Sequence, residues 1–393
     1  MNIGLKQTLF LTITSIYLFS CEPTIIPVNP NPINTNKVIN GNITKNTIWY
    51  SDTVYQLAGR ISVTSGNTLT IQPGTVIKGE AGTGSNASSL VISRGSKIMA
   101  EGTESLPIVF TSIADEITPE KITSGDGISS PNLTPNIAGL WGGLIVLGKA
   151  VISASNTTGD ISEVQIEGIP TSDPNGLYGG SENSDNSGVL KYISIRHGGT
   201  NIGSGNEING LTLGGVGSST TIENIEVVSN QDDGFECFGG TVNLKNIVSW
   251  NVMDDGFDTD QSWGGVLDNF VIISPAGHVL ELDGPEGAHE AYQTIKNGNV
   301  IASGDNTAQD LINVDNNTKA ILSNIYFMDV VPGQKINRTT APNVSFSDIV
   351  IDVDSLDAYI NGNALPGITS GQSSMANINV FNWTWAHSSG AIK

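Results

Sequence analysis

Two stretches of this chain, 22 residues apart, carry the same unit, and the repeat limits the available folds more than any other feature. Ile222-Glu223-Asn224-Ile225 returns as Leu244-Lys245-Asn246-Ile247, and Asp232-Asp233-Gly234-Phe235 returns as Asp254-Asp255-Gly256-Phe257, with 244 − 222 = 254 − 232 = 22. The apolar-x-Asn-apolar element comes back at Leu267-Asp268-Asn269-Phe270, Leu322-Ser323-Asn324-Ile325 and Met375-Ala376-Asn377-Ile378. Weaker forms stand at Leu190-Lys191-Tyr192-Ile193, Ile295-Lys296-Asn297-Gly298 and Phe346-Ser347-Asp348-Ile349. A fixed period of this size marks a solenoid in which each coil buries its apolar face against the next. The alternation after each Asn, as in Ile225-Glu226-Val227, has the two-residue period of a strand with one face inside. Asparagine at a recurring corner has a physical reason. It tolerates the left-handed backbone a sharp bend needs, and stacked amides can hydrogen-bond from coil to coil.

The first half has the same texture with less regularity. Gly59 to Val63, Leu69 to Gly79, Leu90 to Gly95, Pro107 to Thr111 and Trp141 to Gly148 are short alternating runs punctuated by Gly or Pro. With 46 Gly and strands this short, a helical repeat is excluded. The expected fold is all-β: a right-handed parallel β-helix, a single-stranded solenoid over residues 38–393. Insertions rich in Ser, Asn, Asp and Pro interrupt it near 112–138 and 153–187, and loops of that length cover a groove or carry function. The aromatic end, Phe381-Asn382-Trp383-Thr384-Trp385, is expected to close the last coil and protect its edge.

The beginning of the chain is of another kind. Lys6 precedes an apolar run from Leu9 to Phe19, of signal-peptide length and short for a membrane span. Leu18-Phe19-Ser20-Cys21 resembles the lipobox read by lipoprotein signal peptidase. Residues 1–20 are therefore expected to be a signal peptide and Cys21 the lipidated residue. Residues 21–37 hold Pro23, Pro27, Pro30 and Pro32 among Asn and Thr, the composition of an extended tether. The second cysteine, Cys237, sits in Phe235-Glu236-Cys237-Phe238 as a small core filler, so neither a disulfide framework nor a thiolate zinc site is implied. A net charge of −21 repels phosphate backbones, which excludes nucleic acid as a partner. The same surface suits calcium or a neutral glycan.

Taken together, Leu90 to Thr111 with its Ala100-Glu101-Gly102-Thr103 link, Leu140-Trp141-Gly142-Gly143, Asn209 to Leu213 and the paired Asp-Asp-Gly-Phe resemble surface lipoproteins of Bacteroidota with pectin-lyase-like β-helices. The resemblance covers most of residues 55–393 and implies fold and an outer-membrane or cell-surface location. It also implies O-glycan attachment at Asp52-Thr53-Val54 and Asp354-Ser355-Leu356, which fit a short Asp-Ser/Thr-apolar pattern.

The chemistry-bearing residues are the acids that the 22-residue register stacks. With Phe235 and Phe257 inward, Glu236 and Asp258 point outward on adjacent coils, about 4.8 Å apart. Asp232-Asp233 and Asp254-Asp255 pair at the preceding corner. Three readings compete. As turn formers, these aspartates cap backbone amides while Gly takes the bend. As a calcium site, Asp232, Asp233, Glu236, Asp254, Asp255 and Asp258 supply hard oxygens. As a catalytic site, Asp233, Asp254-Asp255 and Gly277-His278 follow the coil order of polygalacturonase-like glycosidases, with one Asp protonating the leaving oxygen and another activating water. That pattern is incomplete here, since no Asn-Thr-Asp surrounds Asp233 and only Ile295-Lys296 stands for the substrate-binding basic motif. A calcium-dependent lyase is the weaker form of the enzyme reading, with Arg196, beside a surface His197, as the available base. Trp141, Trp250 and Trp263 are the candidate sugar platforms. The sequence favours a lipid-anchored protein that binds a glycan or other surface proteins, or serves display, over a polysaccharide-degrading enzyme.

Overall fold

The computed structural model describes residues 36–202, 208–338, 341–360 and 366–393. Cys21, the signal segment and nearly all of the tether lie outside them. Within them the strands form a large 15-stranded parallel sheet and an eight-stranded parallel sheet wound around one apolar core. This is a right-handed parallel β-helix, as the repeat predicts.

The asparagine corner explains how one sheet makes two faces. Thr221–Val228, Asn243–Trp250 and Val266–Ile273 pair in register, with Glu223 opposite Lys245 and Ile225 opposite Ile247, and the register skips the Asn between them. Asn224, Asn246, Asn269, Asn297 and Asn324 all have φ between 54° and 63°, the left-handed region. Each long strand therefore bends at its Asn into two arms. Gly188–Arg196 shows this directly: Gly188 to Lys191 pair with Lys97–Glu101, whereas Ile193 to Ile195 pair with Ile108–Ser112. The weaker sequence matches hold the same corner, since Tyr192 has φ 50° and Asp348 φ 54°.

The stacked amides are bonded to one another. Asn246 Nδ2 donates to Asn224 Oδ1 (3.0 Å), Asn269 Nδ2 to Asn246 Oδ1 (2.8 Å) and Asn324 Nδ2 to Asn297 Oδ1 (3.1 Å). Asn297, although opposite Asn269 in the register, donates instead to Asp268 Oδ1 (2.7 Å). Inside, Leu244, Ile247, Leu267 and Phe270 are wholly buried, and Cys237 is a free thiol buried among them.

One repeat match is corrected. Asn377 is not a coil corner. It belongs to a tail that leaves the last strand, Ile368–Ser370, and runs back along the outside of the stack. Asn377 N donates to Asn269 Oδ1 (2.7 Å), Ala376 N to Asn299 Oδ1 (3.0 Å) and Ala386 N to Glu226 Oε1 (2.8 Å), a course from later coils to earlier ones. Phe381, Trp383 and Trp385 thus cover an outer apolar stripe of Val228, Val248, Trp250, Val271 and Ile273 instead of closing the last coil. The physical reason is that the second arms of the long strands carry apolar residues on both faces, so the outward face also needs burial. The 112–138 insertion joins the cover through Ile117 and Ile122, the latter on the short helix Pro119–Thr123. Of the two glycan-attachment matches, Thr53 is buried and donates to Asp52 Oδ1 (3.0 Å), while Ser355 is exposed at the start of the turn Leu356–Ala358.

Asn246→Leu is expected to cost about 2–4 kcal/mol, the sum of two lost amide hydrogen bonds and a left-handed branched residue. Asn246→Gly should recover the backbone part and lose only the bonds. Thermal melts of both variants check this, and equal melting temperatures for Leu and Gly would refute the strain component.

Candidate functional site

The eight-stranded sheet stacks Leu211, Phe235, Phe257, Leu280 and Ile312 inward, all wholly buried. Alternation then turns the next residue of each strand outward, giving a register-aligned column of Thr212, Glu236, Asp258, Glu281 and Asn313. A second column lies two residues before the inward one. Gly210, Gly234, Gly256 and Val279 donate to the carbonyls of Asp233, Asp255, His278 and Asp310, which fixes Asn209, Asp233, Asp255, His278 and Asp310 on one corner. Asp260 and Asp283 continue the acidic surface on the far side.

At the corner the aspartates act as turn formers. Asp233 Oδ1 accepts from Asp255 N (2.9 Å), and Asp255 Oδ1 accepts from His278 N on the following coil. Gly277 is required by this packing, because a Cβ there would collide with the carboxylates of Asp254 and Asp255. The Gly-His signal therefore has a structural cause.

The remaining oxygens divide into separate groups. Asp255, His278 and Glu281 form the first: His278 Nδ1 lies 3.2 Å from Asp255 Oδ1 and 3.6 Å from Glu281 Oε1. Asn313 Nδ2 also bonds Glu281 Oε1 (3.1 Å). Burial alone would lower the His278 pKa, but the carboxylates of Asp255 and Glu281 beside its ring outweigh that and raise it to about 10. The same contacts, His278 first, hold Glu281 down at about 2, whereas burial lifts Asp255 to about 7. This group carries its own cation, the imidazolium.

Asp233, Glu236 and Asp258 form the second group, with one oxygen of each within 4.8 Å of the others. Asp233 and Glu236 are each 7% exposed. Burial pushes all three carboxyls well up, and the charges acting on them, including Asp232, Glu167 and Asp260, are all acidic. Asn209 Nδ2 donates to Glu236 Oε2, but Asn209 Oδ1 and Asp258 Oδ1 are buried atoms with no donor in reach among the described residues. Asp232, Asp233 and the exposed Asp254 make a third group. The six-carboxylate site expected from the sequence is thus split, with Asp255 allied to His278. Nor is the face open. Tyr178 of the 153–187 insertion packs on Phe238 with ring centroids 6.1 Å apart, and its hydroxyl bonds Gln261 Oε1 (3.0 Å).

Several expected site residues lie elsewhere. Trp141 and Trp263 are fully buried, their indoles donating to Arg196 O (2.7 Å) and Val242 O (3.0 Å), and Trp250 is packed edge-on against Trp385. None of the three offers a ring face to a sugar, because Trp141 and Trp263 belong to the inner core and Trp250 to the outer apolar stripe under the tail. Arg196 is buried with its guanidinium 4.8 Å from the Trp385 ring, beneath the tail and off the acidic face, so it is not a lyase base. His197 beside it is buried, not on the surface, and burial lowers its pKa to about 4. Lys296 sits on the large sheet, 3.4 Å from Asp268.

Sequence reasoning missed Glu281, Asp260, Asp283 and Asn209. Glu281 was traceable: His278-Val279-Leu280-Glu281 aligns with Asp255-Gly256-Phe257-Asp258, but at an offset of 280 − 257 = 23. Burial raises Asp260 to about 7 and Asp283 to about 6, with neighbouring acids adding to it.

Parallel coils of short strands stacked in two parallel sheets around one core define a parallel β-solenoid. The chain matches the pectate-lyase-like β-helix domain family over residues 41–125 and 128–379, and it belongs to that family. No curated protein matches it significantly.

A carboxyl whose pKa is raised by folding stabilises the fold below its unfolded value and loses that contribution as pH rises through the folded one. For Asp255 and Asp260 the window runs from 3.8 to about 7. His278, raised from 6.5 to about 10, loses its contribution higher still, and only Glu281, lowered from 4.5 to about 2, works in the opposite direction at acid pH. In chelator the melting temperature should therefore fall steadily from about pH 5 to pH 7. A flat profile in circular-dichroism melts would contradict these shifts.

Proposed function

We propose that the protein is a lipid-anchored β-helix of the outer membrane or cell surface, attached through Cys21, that binds a divalent cation at Asp233, Glu236 and Asp258 and serves glycan binding or display. One observation carries the cation: the buried carboxyls of Asp233 and Glu236 and the half-buried Asp258 converge, and among the described residues every charge acting on them is acidic, beside a cluster that does hold its own. Calcium takes about six to eight oxygens at roughly 2.3–2.6 Å in adaptable geometry. Three carboxylates supply up to six, and Asn209 Oδ1 is a further buried oxygen beside Glu236. The donor set is all oxygen, which fits calcium and not a soft metal.

The hydrolase reading fits less well. Glycosidase carboxyls stand about 5–9.5 Å apart to admit a sugar and water, whereas the candidate pair Asp233 and Asp254 brings one oxygen of each within 4.8 Å. Its remaining support is Asp255, poised at about 7 beside His278. Reducing-end release from galacturonan and neutral polymers, lost in Asp255→Asn, would establish it.

Calcium at millimolar concentration should raise the wild-type melting temperature at pH 7, by mass action on the native state. Asp258→Asn should abolish that response while leaving the chelated protein as stable as wild type or more so, since it removes like-charge repulsion. Wild type that melts identically in calcium and in chelator would refute the site. For the anchor, Cys21→Ser should move the protein from the membrane fraction to the soluble one. Retention of the mutant in washed membranes would exclude a lipid on Cys21.

A further inference from the structure

A groove on the other flank of the stack is lined by two of the chain's 17 basic residues. Its floor is the corner that follows three successive strands, Arg60–Val63, Ser89–Ile92 and Leu144–Leu147, bringing Ser65, Arg94 and Lys149 onto neighbouring rungs. Its other wall is the 153–187 insertion, with Glu163 and Glu182 facing those cations and Pro174 and Leu177 giving an aliphatic patch. The groove is open to solvent along one side and its volume is about 550 Å³, within the range of about 300–1,000 Å³ typical of small-molecule sites.

The wall is fixed in place. Arg60 Nη2 lies 3.3 Å from Asp173 Oδ2, and Ser93 Oγ donates to Asn175 Oδ1 (3.2 Å), so the insertion is tied to the stack at two points. Val164–Gln165 and Leu177–Tyr178 pair as antiparallel strands within it. Arg94 Nη1 is held by Glu163 Oε1 (2.6 Å) and Gly179 O (2.7 Å). Lys149 Nζ stands 3.8 Å from Glu182 Oε1, a looser pair with 40% and 62% of the side chains exposed. Exposed pairs of this kind contribute little to stability and can exchange partners with a ligand at small cost.

We propose that this groove binds a short neutral oligosaccharide. The lining carries two positive and two negative side chains, summing to zero, so an anion meets as much repulsion as attraction and an apolar ligand would strip water from both ion pairs without replacing its hydrogen bonds. A chain of sugar hydroxyls matches it, donating to Glu163 and Glu182 and accepting from Lys149, while ring C–H groups lie on Pro174 and Leu177. The proposal rests on the binding role suggested above for its ligand class, but shares no residue with the cation site.

The test is isothermal titration of residues 38–393 with cellotetraose, xylotetraose and mannotetraose, and with tetragalacturonate as the charged probe, each in calcium and in chelator. At least one neutral tetramer should bind, equally with and without calcium, and more tightly than tetragalacturonate. Lys149→Ala and Glu163→Gln should each weaken it about tenfold, the loss of one charge-assisted hydrogen bond, with Glu182→Gln as the substitute should either variant melt early. Absence of neutral binding, preference for tetragalacturonate, or binding unchanged in the variants would overturn the groove. Neutral binding that vanishes in chelator would move the ligand to the acidic face, overturning the groove while sparing the cation.

Discussion

A left-handed residue in the middle of each long strand sets the cross-section of this molecule. Without it, Thr221–Val228 and its neighbours would run straight and their sheet would present one flat face. With it, each strand turns a corner without leaving the ladder, because the amide of Asn246 bonds those of Asn224 and Asn269 where the backbone cannot pair. The left-handed conformation costs roughly 1–2 kcal/mol for most non-glycine residues and less for Asn, and amide bonds help to offset it at Asn224, Asn246 and Asn269 and at Asn297 and Asn324. The corner is cooperative for that reason. Its amides run from one coil to the next, so the stack is held by side chains as well as by strand pairing.

The bend also determines what must be covered. Once two arms diverge from the Asn corner, the second arm faces outward with Val228, Val248, Val271 and Ile273, too apolar to remain in water. The tail answers this by running against the coil order and setting Trp385 over Arg196, His197 and Trp250. The shorter sheet receives the opposite treatment. There the 153–187 insertion lays Ile166, Ile169 and Tyr178 against Ile145, Leu147 and Phe238, and in doing so draws Glu236 away from solvent.

Legibility in the sequence follows from this division. The 22-residue offset and the identity of Asn246 gave away the coil, and Phe235 and Phe257 gave the facing of Glu236 and Asp258, because strand alternation and register are local rules. What lay out of reach came from segments that fold onto the outside. Asn377 has the residues of a coil corner and none of its geometry, since Met375-Ala376-Asn377-Ile378 matches a pattern of composition while its backbone docks on the existing ladder. The tryptophans look like sugar platforms until Gly79 is seen leaving space for Trp141. Glu281 escaped notice because one added residue in the preceding coil breaks the period at which a stack of acids is recognised.

Burial is also what separates the two acidic groups chemically. An exposed ladder of carboxylates one rung apart would be screened and ordinary. Beneath the insertion each added charge on Glu236 or Asp258 meets acids alone, and neutrality must come from protons or from a cation. His278 supplies that charge one coil further along, where Asp255 and Glu281 converge on its ring. Moving back one coil, the same position is Asp255 and then Asp233, so the column changes from base to acid while the neighbouring column stays acidic. The point at which the imidazolium ceases to compensate is therefore set by the register itself, and it falls where Asp233 and Glu236 are both buried. A divalent ion there would replace the protons that neutral pH removes, which ties occupancy of the site to the stability of the coils that form it.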